Sequence, residues 1–254
     1  MNTRTLPLLL AALCGTAMAQ TKPDGQWRGG GGAALSMTSG NSTSSSLALS
    51  ADATRATAAD KFSLGAAINR AGNTTGGVKQ TTADKWGGFG QYDLNLSKQT
   101  FVFGRLGLES DQTTKLRLRN ELAAGLGYKL VDTEQTSFDV FGGLGYTTDH
   151  YSVARTIGGR SATRFSRASV YLGESSAHKL SSTVSLKQRL DLYPGLSGDK
   201  AMLARFNAGL SVALSGTMNL SVGLTATHNS KPPAGSKATD TGLFTGVNIK
   251  FGAS

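Results

Sequence analysis

The sequence predicts an all-β protein, a transmembrane antiparallel up-and-down β-barrel of about twelve strands. Three observations lead to this prediction: polarity alternates with a period of two, many alternating segments reach eleven to fifteen residues, and the chain begins with an export signal. A period of two is typical of a strand with one apolar face. A tilted strand needs about 9–11 residues to cross a bilayer, so these segments are long enough to span one.

Residues 1–19, MNTRTLPLLLAALCGTAMA, predict a secretory signal peptide. Arg4 gives the segment a basic start, an apolar run follows, and small residues precede the expected cleavage after Ala19. Residues 20–254 are then the mature barrel domain, which we expect in the bacterial outer membrane. Cys14, the only cysteine, leaves with the signal peptide, so the mature chain folds without a disulfide.

The clearest strand runs from Leu116 to Leu130, where apolar positions alternate with charged or small ones. A helix would mix both kinds of residue on every face. The same pattern predicts strands near residues 25–37, 42–54, 61–71, 82–96, 100–110, 114–130, 136–149, 163–174, 181–193, 201–214, 218–228 and 240–251. No helical stretch or linker separates them, so consecutive strands are expected to be neighbours within one domain.

The predicted connections differ in length at the two ends of the barrel. Those after even-numbered strands are mostly short, such as residues 97–99, 131–135 and 215–217. Several after odd-numbered strands are longer, at residues 72–81, 151–162 and 229–239. An even strand number with short turns at one end is the plan of an outer-membrane barrel, with both termini expected in the periplasm.

A soluble β-sandwich or barrel with its apolar face inside is the alternative architecture. Charged residues at mid-strand fit either the solvated face of a soluble sheet or the wet lumen of a membrane barrel. Strand length and the even strand number favour the membrane barrel, because soluble strands usually have about 5–6 residues. Closure also removes the unpaired strand edges that lipid does not permit.

The formal net charge of +10 bears on the expected partners. Export argues against nucleic acid, whereas lipopolysaccharide or a small anionic solute fits a basic chain. We therefore expect contact with outer-membrane lipids, lipopolysaccharide and the barrel-assembly machinery. For the machinery, FTGVNIKF places Gly246, Ile249 and Phe251 at a spacing similar to that of the C-terminal signal it reads.

A cluster of charged side chains is expected on the lumen face. Its members are Arg105, Glu109, Arg117, Arg119, Glu121, Lys187, Arg189, Asp191 and Arg205. Because their signs are mixed, the cluster fits a cross-strand ion-pair network that fills the interior. It also fits a basic-lined pore for small anionic solutes. Barrel size leaves both open, since eight strands are filled by side chains and sixteen leave a channel.

The tetrapeptide GLGY occurs twice, at residues 125–128 and 143–146. Neither copy matches a phosphate-binding loop, and each lies within a strand pattern and not before a helix. We interpret both as barrel wall, with the glycines toward the lumen. Outward aromatic residues predict girdles at the membrane interfaces: Trp86, Tyr128, Tyr146 and Phe251, with Tyr128 on the periplasmic side and Tyr146 on the outer side.

No cofactor, metal site or enzymatic activity is expected. The three histidines are far apart in the sequence, and the mature chain has no cysteine. One catalytic alternative is a lipid A hydrolase at the outer rim, built from His228, Ser230 and Asp240. The His-x-Ser spacing resembles that of outer-membrane lipid A deacylases, but it arises readily by chance in a serine-rich chain.

Three segments carry a family resemblance: WRGGGGAALSMTSGN, GRLGLESD followed by RLRNELAAGLGYKL, and D-x-G-x-x-x-G-V-x-I-x-F. They resemble the YdiY-type family of salt-induced outer membrane proteins, whose domain has no assigned function. The resemblance covers nearly all of the mature chain and implies an outer-membrane barrel without a catalytic residue. The expected role is envelope maintenance or passive permeation of small solutes; a pore-less structural or adhesion barrel is a further alternative.

Overall fold

The computed structural model describes residues 23–39, 42–232 and 237–252. The expected signal peptide and its cleavage after Ala19 lie outside this part of the chain. Twelve strands are present in it: β1 (Asp24–Thr38), β2 (Ser42–Thr57), β3 (Asp60–Thr75), β4 (Val78–Asn95), β5 (Thr100–Asp111), β6 (Leu116–Asp132), β7 (Thr136–Ile157), β8 (Arg160–Lys179), β9 (Val184–Pro194), β10 (Met202–Ala213), β11 (Met218–Asn229) and β12 (Thr239–Gly252). No helix within these ranges is long and apolar enough to cross a membrane.

The strands form one closed antiparallel barrel. Each strand pairs with its neighbours in sequence, and β1 closes the sheet against β12. Closure gives the backbone groups of every strand a partner on both sides, which a lipid environment requires. The predicted fold class, strand number and up-and-down order are confirmed.

The two ends of the barrel are distinct. Five connections of two to four residues lie at one end, which we call the turn rim, at residues 58–59, 96–99, 133–135, 180–183 and 214–217. The start of β1 and the end of β12 lie at the same end. The opposite end is the loop rim. The expected periplasmic position of the turn rim stays a prediction.

Two of the predicted long loops are wrong. β3 and β4 continue to a two-residue turn at Gly76-Gly77, and β7 and β8 continue to one at Gly158-Gly159. Both glycines of each pair have positive φ, 58° and 79° in the first turn and 58° and 81° in the second. Such turns match the twist of hairpin strands, and glycine adopts them without steric cost. A Gly-Gly pair between alternating segments is the sequence signal for them.

The distribution of polarity is the reverse of that in a soluble protein. Large apolar side chains lie on the outside, where Leu126 is 56% exposed and Ile249 is 59% exposed. Charged side chains lie inside, where Arg167 is 2% exposed and Asp149 is 1% exposed. An outer surface of this kind is stable only in contact with lipid.

The two GLGY motifs face each other across β6 and β7. Gly125 is directly opposite Gly143, and both point into the lumen. A Cβ atom on Gly125 would lie 2.1 Å from the carbonyl oxygen of Gly142, and one on Gly143 would lie 2.1 Å from that of Ala124. The interpretation of GLGY as wall therefore gains a physical reason: the two strands approach too closely for any side chain.

Gly125→Ala should destabilise the barrel, because the added methyl group meets backbone atoms that cannot move aside. We expect a loss of about 1–3 kcal/mol, the usual cost of overpacking. Gly104→Ala is the matched control, since a Cβ there meets nothing within 4 Å. Urea unfolding of the refolded proteins in detergent measures both; equal midpoints for the two variants would contradict the close approach.

Candidate functional site in the barrel lumen

Charged side chains on six strands form one connected set of ion pairs, which we call the charge network. Within the described chain its members are Lys85, Glu109, Arg119, Glu121, Asp149, Arg167, Asp199 and Arg205. All but one lie on the lumen faces of β4 to β8 and β10; Asp199 belongs to the loop after β9. Four bases meet four acids, so the network has no formal net charge.

Glu109 is the centre of the charge network. Its carboxylate lies 2.8 Å from Lys85 Nζ, 2.7 Å from Arg205 NH2 and 3.6 Å from Arg119 NH1. Arg205 also donates to Glu121 at 2.5 Å, so one planar guanidinium joins β10 to both β5 and β6. An arginine suits this role because its donors are fixed in a fork.

Aromatic side chains on β5, β7, β8 and β9 fill part of the lumen beside the charge network. This aromatic cluster consists of Phe101, Phe103, Phe141, Tyr171 and Tyr193, packed with Ala123 and Leu203. The ring centroids of neighbouring members are 4.8 to 5.9 Å apart, which is normal packing distance for aromatic pairs. The lumen beside these strands is therefore a packed core.

Arg189 on β9 borders the aromatic cluster. It donates to Asp191 at 2.9 Å and to the hydroxyl of Tyr171 at 2.9 Å. Tyr171 in turn donates to Asp191 at 2.5 Å. The same guanidinium donates to Gln91 Oε1 on β4 at 3.3 Å and lies 4.9 Å from the ring centroid of Phe141. Arg189 thus connects the aromatic cluster to β4 on the opposite side of the lumen.

Two contacts cross the lumen and divide it. Arg205 on β10 reaches Glu109 on β5, and Arg189 on β9 reaches Gln91 on β4. Each contact joins strands five positions apart around the barrel. We call the part beside β5 to β9 the filled side, and the part beside β10 to β12 and β1 to β4 the open side.

A cavity of about 790 Å³ occupies the open side and, near the turn rim, also reaches the strands of the filled side, where Asp132, Asp139 and Lys187 border it. It extends from Ala58 in a turn of the turn rim to Thr227, two residues from the loop-rim end of β11. Small polar side chains such as Ser63, Asn207 and Ser211 border it. The alternation of these strands puts small residues inside, so the lumen stays empty there.

The predicted basic lumen is wrong. Among the described residues that border the cavity, seven are basic and nine are acidic. The positive charge of the chain therefore does not produce a positive lumen. Its bases are matched by acids on facing strands, as the ion-pair alternative predicted.

Arg105 is a local exception to this balance. Its guanidinium lies 4.1 Å from the ring centroid of Phe89 and donates to Gln91 Oε1 at 3.1 Å. In the described part of the chain, no carboxylate lies within ion-pair distance of it. Arg105 borders the cavity near mid-barrel, so its charge is available to a passing solute.

The expected position of Arg117 beside Arg119 in the lumen is wrong. The pairing of β6 with β7 shifts between Leu116 and Leu118, so Arg117 is the additional residue of a β-bulge. The bulge reverses the alternation, leaving Arg117 exposed and turning Leu116 inward to pack with Tyr151. Arg119 is only 6% exposed and stays in the charge network.

The other expected members of the charged cluster lie on lumen faces. Lys187 and Asp191 border the cavity, as do five other members: Arg105, Glu109, Glu121, Arg189 and Arg205. Sequence reasoning missed Lys85, Gln91, Asp149 and Asp199. The first three share the inward faces of their strands, so alternation could have found them. Asp199 lies in a loop, where no period gives its direction.

The candidate hydrolase residues do not come together. His228 pairs with Thr239 and bonds its hydroxyl at 2.8 Å, on the outer face of the wall. Asp240 is the next residue of β12, so it faces the lumen instead. Ser230 Oγ accepts a hydrogen bond from the Met202 backbone amide. Nor is any group of three or more histidine, cysteine, aspartate or glutamate residues in the described ranges placed to hold a metal ion.

The four expected girdle residues are exposed: Trp86, Tyr128, Tyr146 and Phe251. Tyr128 lies near the turn rim, where its hydroxyl donates to Gln99, and Tyr146 lies toward the loop rim. Three further aromatic residues near the turn rim were missed. Trp27 packs against Phe62 at 6.0 Å between ring centroids, and Phe62 packs against Tyr92 at 6.5 Å.

One protein-family model matches residues 31–251, which is most of the chain. The chain belongs to the DUF481 family. The description of that family, "Protein of unknown function", assigns no activity. No curated protein sequence matches this DUF481 chain.

Three solved structures similar to the DUF481 barrel are an outer-membrane channel and two porins. The COG4313 outer membrane channel from Pseudomonas putida F1 has a TM-score of 0.50 at 11% identity, covering 92% of this chain and 98% of that one. The NanC porin has a TM-score of 0.45 at 10% identity, with coverages of 89% and 97%. The KdgM porin in complex with disordered oligogalacturonate has a TM-score of 0.39 at 12% identity, with coverages of 90% and 98%. The likeness to the first shows a shared outer-membrane barrel fold and nothing finer.

Arg119→Ala should strongly destabilise the DUF481 barrel, whereas Arg117→Ala should not. Arg119 lies 2.6 Å from Asp149, and its loss leaves that buried carboxylate with one fewer partner. Breaking a buried pair costs about 3–5 kcal/mol, and an exposed substitution away from such features about 0.5 or less. Denaturant unfolding in detergent compares the two. Equal losses would show that Arg119 is no more buried than Arg117.

Proposed function

We propose that this DUF481 protein is a passive channel for small polar solutes in the outer membrane. The observation that carries the proposal is the cavity on the open side, which extends along most of the barrel. A barrel with a purely structural role gains no stability from an empty lumen. The Arg205–Glu109 and Arg189–Gln91 contacts hold the packed residues on the filled side and so keep the cavity clear.

The preference for anionic solutes, expected first at Arg117 and Arg119, is now proposed for Arg105. Arg119 is neutralised within the charge network, and Arg117 lies outside the lumen. Arg105 is held in place by Phe89 and Gln91 without a carboxylate partner, so it can attract a carboxylate or phosphate group. Passage requires weak binding, and a single arginine in a wet, balanced lumen provides that.

A pore-less barrel for envelope maintenance or adhesion is the alternative, because the filled side shows that packing of the interior is possible. A link to salt stress rests on the family resemblance alone. Planar-bilayer conductance of the purified protein separates the channel from the pore-less barrel: discrete current steps support the channel, and their absence rejects it.

Asn207→Trp should reduce single-channel conductance by about half or more, because a large ring would project into the cavity. Asn207 borders the open side and is free of the charge network. Leu210→Trp is the matched control: it introduces the same ring on the same strand, but at an outward position. If both variants conduct like the wild type, the current does not pass along the open side.

Arg105→Ala should lower the anion-to-cation permeability ratio by about twofold or more, because a local positive potential concentrates anions. Reversal potentials in a potassium chloride gradient measure this ratio. Arg117→Ala removes the same charge outside the lumen and should leave the ratio unchanged. A ratio that responds to Arg117 and not to Arg105 would place selectivity at the rim.

A further inference from the structure

The outer wall carries a polar pair on β8 and β9. Glu174 points outward, because its neighbour Gly173 faces the lumen, where Phe141 lies against it. Gln188 also points outward and donates to Glu174 Oε1 at 3.4 Å. The residues directly opposite Glu174 on its neighbouring strands are Val140 and Leu190, both apolar. A carboxylate and an amide therefore interrupt an apolar surface.

The pair lies well inside the apolar band. Leu180 is exposed at the turn rim and marks one edge of the band, and Glu174 is six residues further along β8. A rise of about 3.3 Å per residue and a tilt of about 40° put Glu174 roughly 15 Å from that edge. Since the lipid-facing band of such barrels is about 25 Å tall, Glu174 lies near its middle.

The other oxygen of the same carboxylate is unsatisfied. Glu174 Oε2 is shielded from solvent and has no hydrogen-bond partner in the described chain. Next to the pair, Ser176 is buried and its hydroxyl lies 3.2 Å from His178 Nε2, so polar groups continue toward the turn rim. Lipid offers such groups no hydrogen bonds, and an unpaired polar group in an apolar medium is costly.

We propose that this face of β8 and β9 is the contact of a homodimer in the membrane, with a second copy of the chain as its occupant. Two copies inserted in the same direction are related by an axis along the membrane normal. Such a contact is isologous: the same surface patch of each chain forms the interface, and contacting residues of the two chains lie at the same depth in the membrane. A self-contact therefore needs both a donor and an acceptor at one depth.

The amide of Gln188 provides that combination. It has two donor hydrogens, of which the bond to Glu174 uses one, and its own oxygen accepts no hydrogen bond within the described chain. The second hydrogen can be donated to Gln188 Oε1 of the second copy, and the symmetric bond forms at the same time. Glu174 Oε2 is shielded by its own chain and stays outside the contact, while Glu174 Oε1 holds the Gln188 amide in place. A lipid tail or an apolar partner would leave the amide oxygen and the second hydrogen unpaired.

Cysteine cross-linking in vesicles tests the contact, because the mature chain is expected to lack cysteine. Leu172→Cys introduces a thiol beside Glu174 at an outward position that is 46% exposed. Leu49→Cys is the matched control on β2, six strands away around the barrel. With a short bifunctional maleimide, the first should give a covalent dimer and the second should remain monomeric. Equal cross-linking of both, or none from Leu172→Cys, would overturn the proposal.

Glu174→Leu separates a dimer contact from a lipid-facing carboxylate. In the dimer, adding this change to Leu172→Cys should reduce cross-linking severalfold, and Gln188→Leu should do the same. Thr245→Leu removes an outward polar group on β12 and should have no effect. Heat-dependent gel mobility checks that each barrel is folded. If the Glu174→Leu barrel is folded and still cross-links like its parent, the polar pair does not hold the copies together.

Discussion

The structure depends on the contact between Arg205 and the carboxylates of Glu109 and Glu121. A twelve-stranded sheet closes around more space than its own side chains fill, and sequential pairing of strands sets only the circumference. Arg205 joins opposite walls through two bonds of 2.7 and 2.5 Å. Because the guanidinium fork fixes both directions at once, the contact fixes the separation of β10 from β5 and β6. The interior can then be packed on one side only.

This one-sided packing explains why strand number alone did not predict whether the lumen is filled or open. Eight strands leave space for side chains alone, and sixteen leave a channel. Here the space is shared: aromatic rings fill part of the lumen beside β5 to β9, where glycines such as Gly127 and Gly173 provide room for Phe101 and Phe141. Serine, asparagine and alanine border the rest and leave the cavity. The two roles proposed from the charge pattern, stiffening and permeation, can therefore share one lumen.

The sequence predicted the wall more fully than the interior. Alternation gives the face of each residue, and hence the strand number, the exposed leucines and the inward position of Arg119 and Glu121. It fails where the alternation itself breaks, as at the bulge that turns Arg117 outward. Alternation cannot predict contacts across the lumen: Arg189 and Gln91, for example, are 98 residues apart and lie on strands that do not pair. Composition gives the number of charges, but their pairing depends on which strands face each other.

For the same reason, the net charge of the chain does not predict the charge of the lumen. A basic chain can have an acidic or balanced interior when its surplus cations lie elsewhere, as Arg117 does in the bulge and Arg160 does beside the Gly158-Gly159 turn. A cation without a carboxylate partner contributes a positive electrostatic potential to the lumen. Water in the lumen keeps that potential weaker than it would be in a dry interior. The anion preference proposed for this barrel therefore rests on the few charges that the ion-pair network leaves without a carboxylate partner. Arg105 is such a charge, because Phe89 and Gln91 hold its guanidinium without cancelling it.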